Sequence, residues 1–82
     1  MVLEKSGPDR YDIKEGDMII AYIEKNRMGT HGHWRGYTHY MYHEGRFLWA
    51  GADIVIGGKM RPWTDAPWVF RNIMEVKDYY GI

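Results

Sequence analysis

Short apolar stretches separated by turn-forming pairs run along the chain, a pattern typical of antiparallel strands. Residues 18–24 are β-branched and aromatic and have the length of one strand, and the turn Glu15-Gly16-Asp17 precedes them. Residues 52–56 form another apolar stretch, which Gly57-Gly58 connects to a return strand over residues 59–63. The polar segment 25–32 between these regions is predicted to be a loop.

Two aromatic stretches flank the pair Glu44-Gly45, which suits a two-residue hairpin turn with glycine at positive φ. This turn predicts that Tyr40 faces Trp49 and that Tyr42 faces Phe47. Side chains alternate across a strand, so one face is expected to be the core. The members of the expected core face are Trp34, Tyr40, Tyr42, Phe47 and Trp49. The other face is predicted to be an exposed basic and aromatic surface of His33, Arg35, Tyr37, His39, Met41, His43, Arg46 and Leu48.

In the last part of the chain, the spacing of apolar residues changes from that of a strand to that of a helix. Thr64 or Asp65 can cap a helix, Pro67 suits its first turn, and Gly81 suits its end, which predicts a helix over residues 66–80. The apolar residues at helical spacing are Val69, Ile73, Val76 and Tyr80. The alternative is a final strand in which Phe70, Asn72, Met74 and Val76 alternate with polar residues.

Together these elements predict an α+β fold, an antiparallel β-meander of four to five strands with one C-terminal helix packed on it. The alternative is a small all-β barrel of the SH3-like kind. Residues 1–11 lack periodicity and contain Gly7-Pro8, so we expect a flexible N-terminal arm there. Residues 12–82 are expected to form a single globular domain, because the chain is short for two domains.

Composition narrows the class of protein. The chain has 82 residues with four Trp, seven Tyr, two Phe and six Met, which can fill a small core without staples. The absence of cysteine excludes disulfides and thiolate metal sites, and it favours a reducing, cytoplasmic setting. Neither a signal-peptide pattern nor a membrane-length apolar stretch is present, so we expect no membrane association.

The net charge is zero, but its distribution is uneven. Residues 1–24 carry six acidic and three basic side chains, a net charge of −3. Residues 25–61 carry six basic and two acidic side chains, a net charge of +4. The basic middle of the chain can meet an anionic partner, or the two segments can neutralise each other within the fold.

The four histidines all lie at odd positions in the basic segment, and a strand would place them on one face. His31 and His33 are the candidate ligands for zinc or another divalent metal, with a third ligand from elsewhere. Unligated, exposed histidines are the alternative, and no other cofactor is indicated. Catalytic signatures are poor: a cysteine nucleophile, a glycine-rich phosphate loop and an HExxH motif are all lacking, which argues against an enzyme.

We therefore expect a small non-enzymatic domain that binds a protein partner. The predicted binding surface consists of Arg35, Tyr37, His39, His43, Arg46, Trp63 and Trp68. Trp, Tyr, Met and Arg are enriched at protein interfaces, and a homo-oligomer would use the same residues. The alternative occupant of the basic and aromatic surface is nucleic acid or a small anionic ligand such as a nucleotide. Short aromatic-rich chains of this kind include phage and mobile-element proteins that inhibit or redirect a host complex, and we extend that expectation to this chain.

Overall fold

The computed structural model describes residues 1–26 and 36–82, in which the chain forms an antiparallel sheet, a separate hairpin and one helix. The strands of the sheet's main path, in order across it, are β1 (Val2–Lys5), β2 (Arg10–Glu15), β3 (Met18–Lys25), β4 (Tyr37–His43) and β5 (Arg46–Trp49). The separate hairpin consists of β6 (Asp53–Ile56) and β7 (Lys59–Pro62), and the chain then continues into β8 (Val69–Phe70) and α1 (Ile73–Tyr80). The predicted α+β meander with a C-terminal helix is confirmed.

Strand β1 corrects the expectation that residues 1–11 form a flexible arm. It pairs antiparallel with β2 along its whole length, from Val2 opposite Lys14 to Lys5 opposite Tyr11. Leu3 packs against the core, and the Glu4 carboxylate lies 3.1 Å from Nζ of Lys14. Strand β1 is short, and Leu3 is its residue that packs against the core. One such residue gives no periodicity in the sequence, so the pattern does not predict this strand.

Strands β4 and β5 form the predicted hairpin, with Tyr40 opposite Trp49 and Tyr42 opposite Phe47. Both turn residues adopt positive φ, 46° at Glu44 and 87° at Gly45, as a two-residue turn of this type requires. The predicted register is therefore confirmed. Strand β8 continues beside the other end of β4, since Phe70 pairs with Tyr37 after β5 has ended.

The assignment of faces from the sequence is wrong. The core is built from buried side chains on β2, β3, β8 and α1, namely Ile13, Ala21, Ile23, Phe70 and Val76. Ile23 pairs with His39, and Ala21 pairs with Met41, so the histidine-bearing face of β4 is the core face. The expected core residues Tyr40, Tyr42, Phe47 and Trp49 lie on the other side of the sheet, and Trp34 lies outside the described residues. The apolar residues of β2 and β3 and the position of α1 decide the face, and neither is local to the hairpin.

Helix α1 begins at Ile73 and not at residue 66, so it is shorter than predicted. Its N-cap is Asn72, whose Oδ1 accepts a hydrogen bond from the Glu75 amide at 3.0 Å. Gly81 ends the helix at φ 69°, as predicted. The preceding residues 69–70 are in a strand, since they pair with β4.

Candidate functional site

The face of the sheet opposite α1 carries a row of aromatic side chains, which we call the aromatic face. Its members are Tyr22, Tyr40, Tyr42, Phe47 and Trp49. The rings of Tyr22 and Tyr40 stack with centroids 4.6 Å apart and planes 14° apart. Phe47 meets Tyr22 edge-on at 5.1 Å and Tyr42 at 5.8 Å. Tyr42 is 51% exposed and Trp49 is 39% exposed, so the rings form a preorganised apolar surface that is open to solvent.

Arg10 completes one end of this row. Its guanidinium carbon lies 3.9 Å from the Tyr22 ring centroid, and its Nε donates a hydrogen bond to Oδ1 of Asp12 at 2.9 Å. At these distances each face of the ring has room for one group, so Tyr22 lies between Arg10 and Tyr40. Asp12 is buried and uses the guanidinium as its ion-pair partner.

Burial raises the pKa of both Tyr22 and Tyr40. Tyr40 adds to the shift of Tyr22, while Glu24 adds to the shift of both. The two phenols are therefore neutral at physiological pH, where an ordinary tyrosine is already protonated. They present hydroxyl groups that can both donate and accept hydrogen bonds.

A second aromatic group adjoins the aromatic face at Trp49, and we call it the tryptophan corner (Trp49, Trp63, Trp68 and His43). Nε1 of Trp63 donates to the Trp49 carbonyl oxygen at 2.8 Å, and Nε1 of Trp49 donates to the Trp68 carbonyl oxygen at 3.2 Å. The rings of Trp49 and Trp68 meet edge-on at 5.8 Å, and the rings of His43 and Trp63 are 4.8 Å apart. Trp68 is 54% exposed, so it extends the open aromatic surface beyond Trp49, whereas His43, with Trp63 against it, is on the other face of the sheet.

The structure brings together four of the residues predicted to form a binding surface. His43 contacts Trp63 and pairs with the exposed Arg46 across the hairpin, and Trp68 joins them through Trp49. Tyr37 lies at the opposite end of β4, where its ring meets Tyr11 at 6.1 Å. Arg35 and the two candidate metal ligands His31 and His33 lie outside the described residues.

His39 is fully buried, so its predicted place on an exposed surface is wrong. Its Nδ1 lies 2.8 Å from the Pro67 carbonyl oxygen, which can only accept, so Nδ1 carries the proton. Nε2 of the neutral ring is then the acceptor for the Tyr80 hydroxyl at 2.5 Å. Burial lowers the pKa of His39 and raises the pKa of Tyr80. His39 therefore joins β4 to the segment before β8 and to the end of α1.

Sequence reasoning missed Tyr22 and Arg10 as members of this surface. The alternation within residues 18–24 places Tyr22 on one face of its strand, but the register between β3 and β4 decides which aromatic residue it meets. The connection between these strands is long, so no turn type fixes that register in advance. A cation over a tyrosine of the neighbouring strand has no sequence signal of its own.

Within residues 1–26 and 36–82, no group of three or more His, Asp or Glu side chains is placed to hold a metal ion. In the same part of the chain, no helix has the length and apolar character to cross a membrane. Comparisons with protein-family models, with curated proteins and with solved structures find no match to this chain.

Proposed function

We propose that this chain is a non-enzymatic protein-binding domain that docks its partner on the aromatic face and the tryptophan corner. The observation that carries the proposal is a continuous row of aromatic side chains held in fixed positions on an exposed sheet face. The Tyr22–Tyr40 stack and the two indole hydrogen bonds fix these rings before any partner arrives. Preorganised aromatic residues lose little conformational entropy on binding, which makes them effective interface anchors.

The charges and ring positions of this face favour a protein over a nucleic acid. Base stacking requires a free ring face, and at the Arg10 end of the row both faces of Tyr22 are occupied. The exposed Glu24 lies near Tyr22 and Tyr40, and Arg10 already pairs with Asp12. A phosphate backbone would meet the Glu24 carboxylate here, which makes no ion pair with another described residue. A protein segment with apolar side chains and a cation near Glu24 fits the same surface.

Each exposed ring supplies apolar area that a partner can cover. An aromatic side chain has roughly 150–250 Å² of surface, and Tyr42 exposes about half of its own. Covering that half contributes on the order of 2 kcal/mol at about 25 cal/mol per Å². Trp68 and Trp49 add comparable areas beside it. Losing one such ring is therefore expected to weaken binding by about tenfold or more.

The test is a quantitative affinity capture from the cells in which the chain is native, with nuclease treatment. The variants Tyr42→Ser and Trp68→Ser are each expected to lose the bound protein, because each removes an exposed ring from the surface. Met74→Ser is the matched control, since Met74 is an exposed apolar residue on α1. Equal capture by all three variants would contradict the proposed surface, and nuclease-sensitive capture would contradict a protein partner.

A further inference from the structure

The β6–β7 hairpin stands apart from the main sheet. Its two strands pair only with each other, and apart from Ile54 all their residues are exposed. Val55 and Met60 lie directly opposite each other and are 66% and 65% exposed. A two-stranded hairpin is only marginally stable in water by itself, and a third strand adds much to its stability. The addition of a third strand would therefore stabilise this hairpin.

The turn determines which backbone groups of the hairpin point outward. Both residues of Gly57-Gly58 have positive φ, so the flanking Ile56 and Lys59 exchange backbone hydrogen bonds. Hydrogen-bonded pairs then alternate along the hairpin, and Val55 and Met60 direct their N–H and C=O groups away from each other. The Trp63 amide donates to the Ala52 carbonyl oxygen at 3.4 Å, which is where this alternation places the last such pair.

The two outer edges of the hairpin differ. On β7 the outward positions are Met60 and Pro62, and proline has no N–H to offer a new strand. On β6 the outward positions are Asp53 and Val55, and both have an N–H group that bonds no other described residue. Within residues 1–26 and 36–82, no other element bonds to this edge. Its sequence Ile54-Val55-Ile56 has high β propensity and lacks the lysine or proline that protects natural edges.

Charge indicates what kind of strand fits. Strand alternation and register place Lys59 and Arg61 on the same face of the hairpin as Ile54 and Ile56. Both cations are exposed, and neither makes an ion pair with another described residue. Their long side chains can extend across the isoleucines toward a strand added beside β6. Acidic residues at alternate positions of that strand would meet this positive charge.

We propose that the outer edge of β6 accepts an extended segment of a protein partner in which apolar and acidic residues alternate. Backbone hydrogen bonds to Val55 and Asp53 provide the affinity of such strand addition, and Lys59 and Arg61 provide the preference for acidic side chains. This contact is separate from the aromatic face, so either site can fail its test while the other stands.

The test adds a synthetic peptide of alternating glutamate and valine residues to the complete chain. Binding is monitored by backbone amide NMR. We expect the peptide to shift the Val55 amide resonance. It should bind Val55→Pro at least about tenfold more weakly, because that variant removes an outward donor but no β6–β7 hydrogen bond. Met60→Pro is the matched control, since it makes the same change directly opposite on β7, and it should bind within about twofold of the unchanged chain.

Charge reversal provides a readout that does not depend on proline. The double variant Lys59→Glu with Arg61→Glu should lose the glutamate–valine peptide and bind a lysine–valine peptide instead. Equal loss in Val55→Pro and Met60→Pro, or unchanged peptide preference after charge reversal, would overturn the proposal. Concentration-dependent self-association that Val55→Pro abolishes would also overturn it, because the occupant of the edge would then be a second copy of the chain.

Discussion

The buried His39 should make the stability of this fold depend on pH in a defined window. Its two ring nitrogens bond the Pro67 carbonyl oxygen and the Tyr80 hydroxyl, an arrangement that fits the neutral ring. Protonation would place a second N–H against the hydroxyl and a charge in the core. The perturbation is acidification, and His39→Gln is the variant that removes the titrating group while keeping a donor and an acceptor.

The direction of the pKa shift determines whether acidification stabilises or destabilises the fold. Burial lowers the pKa of His39 below its ordinary value of about 6.5, so the unfolded chain binds a proton before the folded chain does. Above that value the ring is neutral in both states and contributes no pH dependence. As the pH falls below about 6.5, stability is lost until the lowered pKa of the folded state is reached. The loss between pH 7 and pH 5.5 has an upper limit of about 1 kcal/mol, which applies to a ring that stays neutral in the fold over the whole interval.

Urea denaturation at several pH values measures this loss. We expect the free energy of unfolding to fall over that interval by up to about 1 kcal/mol in the unchanged chain and to change much less in His39→Gln. His43→Gln is the control, because His43 lies at the far end of the same strand and is partly exposed. A slope that survives in His39→Gln, or disappears in His43→Gln, would refute the reasoning.

Three further variants test the packing with the same denaturation assay. Tyr80→Phe leaves Nε2 of His39 without its donor and should cost about 1–3 kcal/mol, and a neutral result would mean that this hydrogen bond is not formed in solution. Asn72→Ala removes the helix N-cap and should cost about 1 kcal/mol, whereas no loss would place the helix start elsewhere. Gly36→Ala would place a Cβ 2.5 Å from the Phe70 carbonyl oxygen, so we expect β8 to separate from β4 with a loss of about 1 kcal/mol or more, and a variant as stable as the unchanged chain would contradict that close approach.

The sequence predicts the β4–β5 hairpin well because its determinants are local. Glu44-Gly45 fixes the turn, and the turn fixes every pair up to Tyr40 and Trp49. Which face becomes the core depends on Ile13, Ala21 and Ile23 on strands distant in sequence, and on α1. Aromatic residues are the largest on the hairpin, so the pattern favours them as core, although in the structure they cover the open face.

The start of α1 shows a competition between two local signals. Asp65-Ala66-Pro67 and Asn72-Ile73-Met74-Glu75 both match a helix N-terminus, and the second is the one used. The first signal does not start the helix because the Pro67 carbonyl oxygen bonds His39 and residues 69–70 pair with β4. These tertiary contacts join segments about 30 residues apart, so the local pattern contains no trace of them.

The open aromatic face was accordingly outside what the sequence could define. Its charged end depends on Arg10 lying over Tyr22, a contact between neighbouring strands. The tryptophan corner was partly predictable, since Trp63 and Trp68 belong to the binding surface predicted from the sequence. Their connection through Trp49 required the path of the chain after β7.

Site-specific photo-crosslinking tests the central claim most directly. A photoreactive phenylalanine analogue placed at position 42 lies on the aromatic face, and the same analogue at position 74 lies on the exposed side of α1. The proposed function predicts a covalent adduct with a partner protein from position 42 and none from position 74. An adduct from position 74 alone, or a captured partner that never crosslinks to position 42, would contradict it.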